Sequence, residues 1–146
     1  MKIKQIDFES HQFGDYCELM IVPELIENEQ SIYSSSSLSF YKYAKNQIHL
    51  SFIREPDILL EQRSIEWLGP TLLITTTALT QNPELVSITL SVISNYITDF
   101  FKGRKDPDIK LSILIQESKT KFKKIDYEGD KESLKEIEKI IQQLKD

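Results

Sequence analysis

The chain is poor in the residues that most often announce chemistry. It has one cysteine, Cys17, two histidines, His11 and His49, and four scattered glycines at positions 14, 69, 103 and 129. A lone cysteine excludes an internal disulfide and fits a reducing compartment, so a cytoplasmic location is expected. The spacing of His11, Cys17 and His49 matches no compact zinc pattern, and neither a metal nor a cofactor is expected. Glycines this dispersed form neither a P-loop nor a dinucleotide fingerprint. The opening MKIKQIDFES has a basic start but no apolar core or small-residue cleavage site, which argues against a secretory signal.

Basic residues are also the minority. Lys and Arg number 18 against 23 Asp and Glu, giving a formal net charge of -5 and a pI near 5.1. That balance disfavours a phosphate backbone as the main partner and favours a basic protein surface. At 146 residues the chain fits a single domain with a continuous core.

What the chain does have is an uncharged centre. Trp67 to Pro83 carries no charged residue, and after Glu84 the chain is uncharged again to Thr98. We read two consecutive apolar helices there, joined at Gln81-Asn82-Pro83, with Gly69-Pro70 breaking the preceding short helix and Pro70 in the first turn of the next. The second starts after Asn82-Pro83, with Asn82 as cap, and ends at Lys102-Gly103. Such a pair must be hidden in the core or against a partner. Gly69-Pro70, the threonines at 71, 75, 76 and 77, Gln81 and Asn82 make the first run a poor membrane span, so membrane association through residues 67 to 101 is a lesser alternative.

Around this centre the pattern predicts strands at Lys2 to Phe8 and Cys17 to Pro23. The polar stretch with Ser34 to Ser37 reads as a surface loop. Residues Ser39 to Arg54 read as two strands, with His49 on the face opposite Ile48, Leu50 and Phe52. A short helix is expected after Pro56-Asp57, over Ile58 to Leu68. Leu111, Ile113 and Ile115 with Phe122, Ile125 and Tyr127 predict a hairpin with a bulge at Lys123-Lys124, followed by an amphipathic helix carrying Leu134, Ile137, Ile141 and Leu144. The fold class is α+β: a mixed or antiparallel sheet packed against an apolar helical pair, with a C-terminal β-hairpin and amphipathic helix.

Few side chains suggest catalysis. His11, Asp15 and Cys17 contain the elements of a nucleophile, base and orienter, and Glu55 with Asp57, followed by Glu61, is the best carboxylate grouping. These define the alternative of a small hydrolase, although acids at a helix start are expected from the helix dipole alone. Lys119, Lys121, Lys123 and Lys124 read as a charge-protected strand edge rather than a nucleic-acid surface. Tyr33, Tyr41 and Tyr43 beside Lys42 and Lys45 read as strand packing rather than base stacking. Arg63 with Glu66 and Trp67, and Asn95 with Asp99, place polar groups at helical spacing within or beside the apolar centre, where they would serve a core network or an interface.

The order of ISNYITDFFKG, KLSILIQES, KFKKIDYEGD and ESLKEIEKIIQQL resembles that of small accessory components encoded beside effectors in bacterial conflict and defence systems. The resemblance covers about the last 60 residues and leaves residues 1 to 66 outside. It implies a non-enzymatic adaptor or regulator that contacts a partner protein. The expectation is therefore a protein-interaction domain, a homodimer or a partner-bound accessory protein. Its interface candidates are Arg63, Trp67, Asn95, Tyr96, Asp99, Phe100 and Phe101. A self-associating structural or membrane-peripheral domain is the remaining alternative.

Overall fold

The computed structural model describes residues 2–7, 19–61, 67–116 and 121–145. The elements run β1 (Lys2–Asp7), β2 (Leu19–Val22), β3 (Leu25–Glu27), β4 (Gln30–Ser34), α1 (Ser35–Ala44), β5 (Ser51–Phe52), β6 (Ile58–Leu60), β7 (Trp67–Ile74), α2 (Thr76–Gln81), α3 (Leu85–Phe100), β8 (Ile109–Gln116), β9 (Lys121–Gly129) and α4 (Lys135–Lys145). A 3-10 turn at Glu132–Leu134 leads into α4. Six strands form one mixed sheet in the order β1-β9-β8-β7-β2-β5, and β3-β4-β6 form a second, smaller sheet. The α+β class holds, with the sheet mixed rather than wholly antiparallel: β7 pairs β8 in parallel, and β2 pairs β5 in parallel.

The first apolar run is a strand, not a helix. Trp67–Ile74 lies between β2 and β8, and Leu72, Leu73 and Ile74 are all buried. A strand covered on both faces needs no polar alternation, so its uncharged run reads like a buried helix. The pairing with β8 shifts between Leu68 and Thr71: Leu68 faces Lys110 and Thr71 faces Ser112. Gly69 and Pro70 therefore stand against Leu111 alone, in a bulge that accommodates a residue with no N–H to give the ladder. The helical part of the run is only α2, capped by Thr75, whose Oγ1 accepts from the Ala78 N–H at 3.1 Å.

Helix α3 is as expected in extent, and it buries Val86, Leu90, Ile93 and Ile97 at helical spacing. Its capping position is Glu84 rather than Asn82, without a side-chain cap bond. Asn82 instead gives its carbonyl to the Leu85 N–H at 3.0 Å. At the other end Gly103 takes φ 83°, a left-handed conformation that suits glycine after a helix.

Three further expectations are corrected between β4 and β7. Ser34 to Ser37 is not a surface loop: Ser34 ends β4 and caps α1, accepting the Ser37 N–H at 3.2 Å, and Ser34 and Ser37 are buried. Of the two strands expected over Ser39 to Arg54 only the second forms, as β5 (Ser51–Phe52), because residues 35–44 are α1, which buries Ser37, Phe40 and Ala44. Their spacing is helical, and the aromatics that favour strands are outweighed by the cap and by tertiary burial. His49 is exposed between buried Ile48 and Leu50, the opposition expected for it. The stretch expected to be a helix after Pro56 contains the strand β6 and, at Trp67, the start of β7; residues 62–66 between them lie outside the described residues.

The C-terminal hairpin pairs without a break from Ile109↔Gly129 to Gln116↔Phe122, so the expected bulge at Lys123-Lys124 is absent. Phe122 consequently lies on the sheet face opposite Ile125 and Tyr127. It joins Met20, Val22, Ile53, Leu73 and Leu114 in a second buried cluster. The main core lies on the other face, where Leu19, Ile21, Leu72, Ile74, Ile113 and Ile125 meet Phe40, Ile93, Ile137 and Ile141 from the helices. β9 pairs with both β1 and β8, so its lysines do not mark a sheet edge as expected. Lys124 instead sits 3.8 Å from Asp126.

Candidate functional site

The described helices put a cluster of aromatic rings where α1, α3 and β7 meet. Tyr96 is its hub. Its ring lies 5.6 Å from Phe40, 5.4 Å from Tyr43, 5.3 Å from Trp67 and 5.2 Å from Phe100, measured between centroids. The first two contacts are edge-to-face and the last is stacked at 18°, arrangements that suit the ring quadrupoles. Phe101 meets Phe100 edge-on at 5.0 Å, and the Arg104 guanidinium lies 5.4 Å from the Phe101 ring centre. The series runs from buried Phe40 and Trp67 out to Phe100, which is 52% exposed.

Each ring is positioned by a local feature of the chain. Phe40 falls on the buried side of α1 with Ser37 and Ala44. Ser36 Oγ donates to the Leu68 carbonyl and so fastens the first turn of α1 to β7. Trp67 folds back over the bulge: a Cβ built on Gly69 would fall 2.8 Å from Trp67 Cζ3. Tyr96 and Phe100 are one helical turn apart on α3, so their side chains share a face.

Polar groups ring the cluster. The Tyr96 hydroxyl and Ser39 Oγ are 2.8 Å apart, and Tyr43 Oη donates to Asp99 Oδ2 at 2.8 Å. Burial pushes the Tyr96 phenol above its ordinary range, opposed by the Ser39 hydroxyl. The Asp99 carboxylate beside Tyr43 raises that phenol too, because it accepts the proton that ionisation would remove. Trp67 Nε1 is buried, and among the described residues no acceptor meets it in full hydrogen-bond geometry. It nevertheless lies near enough to the Tyr96 oxygen to favour its ionised form.

Trp67, Tyr96, Asp99, Phe100 and Phe101, all named from sequence, thus converge. Asn95 is exposed and makes none of these contacts. Arg63 lies outside the described residues, as do His11, Asp15 and Cys17. Ser39, Phe40 and Tyr43 were missed because their stretch reads as strand; the Ser34 cap and the 37, 40, 44 spacing are the signals that locate them.

The carboxylate grouping is differently employed. Glu55 and Asp57 are exposed, and Asp57 Oδ2 accepts the Ser31 N–H at 2.7 Å while the Asp57 N–H donates to the Ser31 carbonyl at 3.0 Å. This reciprocal pair seats the start of β6 against β4. Tyr33 is core, Tyr41 packs on Phe52 at 4.7 Å, and Lys45 Nζ lies 5.9 Å from the Tyr41 ring centre. Among the described residues no group of three or more His, Cys, Asp and Glu side chains is arranged to hold a metal ion. No described helix is long and apolar enough to cross a membrane.

A groove of about 250 Å³ separates α3 from the start of α4, lined by Ser87, Ser91 and Ser94 on one side and Lys131, Glu132 and Lys135 on the other. Lys131 is already engaged, 2.9 Å from Asp106 and donating to Thr98 Oγ1 at 2.8 Å. It straps the end of α3 to the segment before α4. Comparison of the chain with family models, with curated proteins and with solved structures finds no match to any of them.

Proposed function

We infer that this protein is a non-enzymatic interaction domain that binds another protein chain through the Phe100–Phe101 ridge at the C-terminal end of α3. One observation carries the reading: Phe100, half exposed, is stacked on Tyr96, which is itself 3% exposed. An aromatic ring held against a packed core loses little conformational entropy on binding, which is what makes such rings anchor residues at interfaces. Arg104 beside Phe101 adds a cation with a planar head, another group favoured at contact surfaces.

A second copy of the chain is the first occupant to test, which makes the protein a homodimer. The resemblance of the C-terminal part to accessory components of bacterial conflict systems supports a regulatory role for such an assembly, and the lone cysteine supports a cytoplasmic one. The test is light scattering coupled to size-exclusion chromatography over a range of concentrations, on the protein and on Phe100→Ser. A dimer that Phe100→Ser converts to a folded monomer supports the homodimer. A monomer moves the search to heterologous partners, with Phe100→Ser as the control in capture. A dimer indifferent to Phe100→Ser overturns the assignment of this ridge.

A further inference from the structure

Among the described residues the small sheet ends on a strand that is not protected as sheet edges usually are. In β6 the three consecutive residues Ile58, Leu59 and Leu60 are 37%, 42% and 52% exposed. Successive side chains of a strand point to opposite faces, so β6 is open to solvent on both. Its neighbour β4 is the contrary case, with Ser31, Ile32, Tyr33 and Ser34 all buried. Edge strands are ordinarily blunted by lysine, proline or a bulge, because an open apolar edge recruits further strands. Residues 58–60 contain none of these devices, and β6 pairs with β4 in even register, Ile32↔Ile58 to Ser34↔Leu60. Leu25 on β3, 51% exposed, faces Ile32 in the same row.

The charge around this edge is one-sided. β3 and β4 join through Asn28 and Glu29, both at positive φ, in a tight hairpin closed by Glu27↔Gln30. Because β4 and β6 run parallel and Ser31 is clamped to Asp57, that hairpin end lies beside the start of β6. Glu27, Glu29, Glu55 and Asp57 therefore gather at one end of the sheet, all exposed. Arg54 is the sole base in residues 24–34 and 54–61, and its guanidinium donates to the Glu29 carbonyl at 3.0 Å.

We propose that β6 is a docking edge that adds an extended protein segment as a further strand, its apolar side chains covering Ile58, Leu59 and Leu60 and its basic end meeting Glu27, Glu29, Glu55 and Asp57. The backbone ladder supplies affinity and the acidic end sets orientation. A second copy of this chain fits poorly, because residues 55–61, EPDILLE, have no basic end to offer. This surface does not depend on the Phe100 ridge and stands or falls separately.

The test uses a fluorescent peptide of alternating valine and threonine with lysines at one end, read by anisotropy against the full chain. The reversed peptide, with lysines at the other end, is measured beside it. One of the two should bind, weakened about tenfold by Leu60→Lys and by the double charge reversal Glu27→Lys with Glu55→Lys. The same double variant should gain affinity for a glutamate-ended peptide. Methylating alternate peptide nitrogens on one edge should reduce binding about tenfold, and methylating the other edge should leave it unchanged. Equal loss from both methylated forms overturns strand addition. Binding of the glutamate-ended peptide to the unaltered protein as tight as that of the lysine-ended one overturns the charge assignment. Failure of both lysine peptides, or self-association abolished by Leu60→Lys, overturns the proposed occupant.

Discussion

The ring of Trp67 lies over Gly69, so close that a single added methyl would fall 2.8 Å from Trp67 Cζ3 and 3.2 Å from Leu111 Cδ1. The bulge that admits Pro70 to an interior strand thus also makes the space into which the tryptophan folds to reach Phe40 and Tyr96. Backbone irregularity and aromatic cluster are one feature.

Gly69→Ala should therefore destabilise the protein by about 1–3 kcal/mol through overpacking. The check is chemical denaturation followed by fluorescence of Trp67, the one tryptophan in the chain. Native-state emission should shift as well, since the indole must move. An unchanged spectrum and midpoint would show that the ring does not occupy this space.

Ser34→Ala tests the correction of the serine run from loop to helix cap. Ser34 is 2% exposed and its oxygen meets both the Ser37 N–H and, at 2.8 Å, the Ser37 hydroxyl. Loss of a buried cap should cost about 1–2 kcal/mol. Ser35→Ala, at the first helical position, should cost less than half of that.

Glu29 occupies the left-handed region at φ 63°, a conformation that costs a non-glycine residue about 1 kcal/mol. Glu29→Gly should relax the turn and raise stability by roughly 0.5 kcal/mol, the gain being reduced by the freer unfolded chain. Thermal denaturation reads the sign directly. Glu29→Val should move it the other way.

Tyr33 makes the protein sensitive to alkali. Burial pushes its phenol up to about 12 from 10.0, against the opposing pull of the Arg54 backbone N–H, which donates to the phenol oxygen at 3.4 Å, and of the Arg54 charge. Below pH 10 the phenol is protonated in both states and its contribution is complete. As pH rises from 10 towards about 12 the unfolded chain loses the proton first, so stability falls across that window. Tyr33→Phe gives up the 2.6 Å hydrogen bond to the Arg54 carbonyl and should be less stable at neutral pH, yet with a flatter alkaline slope. Parallel stability curves for the two proteins would show that Tyr33 does not carry the effect.

The elements that proved legible are those whose burial follows a single period. Helix α3 and the stripe of Leu134, Ile137 and Ile141 bury one helical face, and Leu111 and Ile113 alternate with the less buried Lys110 and Ser112, although Leu114 is buried on the other face of β8. Two misreadings arose where both faces of an element are covered. In β7 burial on both sides erases the alternation that distinguishes a strand, and Phe122 looked displaced by a bulge when it serves the second buried face. For α1 the difficulty was composition: serines hid a cap, and aromatics suited to strands sit on a helix.

The same division governs the candidate site. Trp67, Tyr96, Asp99, Phe100 and Phe101 stood out as polar and aromatic groups at the margin of an apolar segment, a local property that sequence carries. Their convergence with Ser39, Phe40 and Tyr43 depends on α1 crossing both α3 and β7, a long-range arrangement with no local signature.

By itself the sequence determined the mixed class, the amphipathic faces of the later helices and the apolar centre that had to be buried, because each is a matter of residue order and periodicity. Tertiary structure alone decided that Trp67–Ile74 is a strand, that Gly69 yields its place to an indole ring, and that β6 stands open beside a cluster of acids. Those outcomes rest on which segments become neighbours, and neighbours distant in the chain write no period into it.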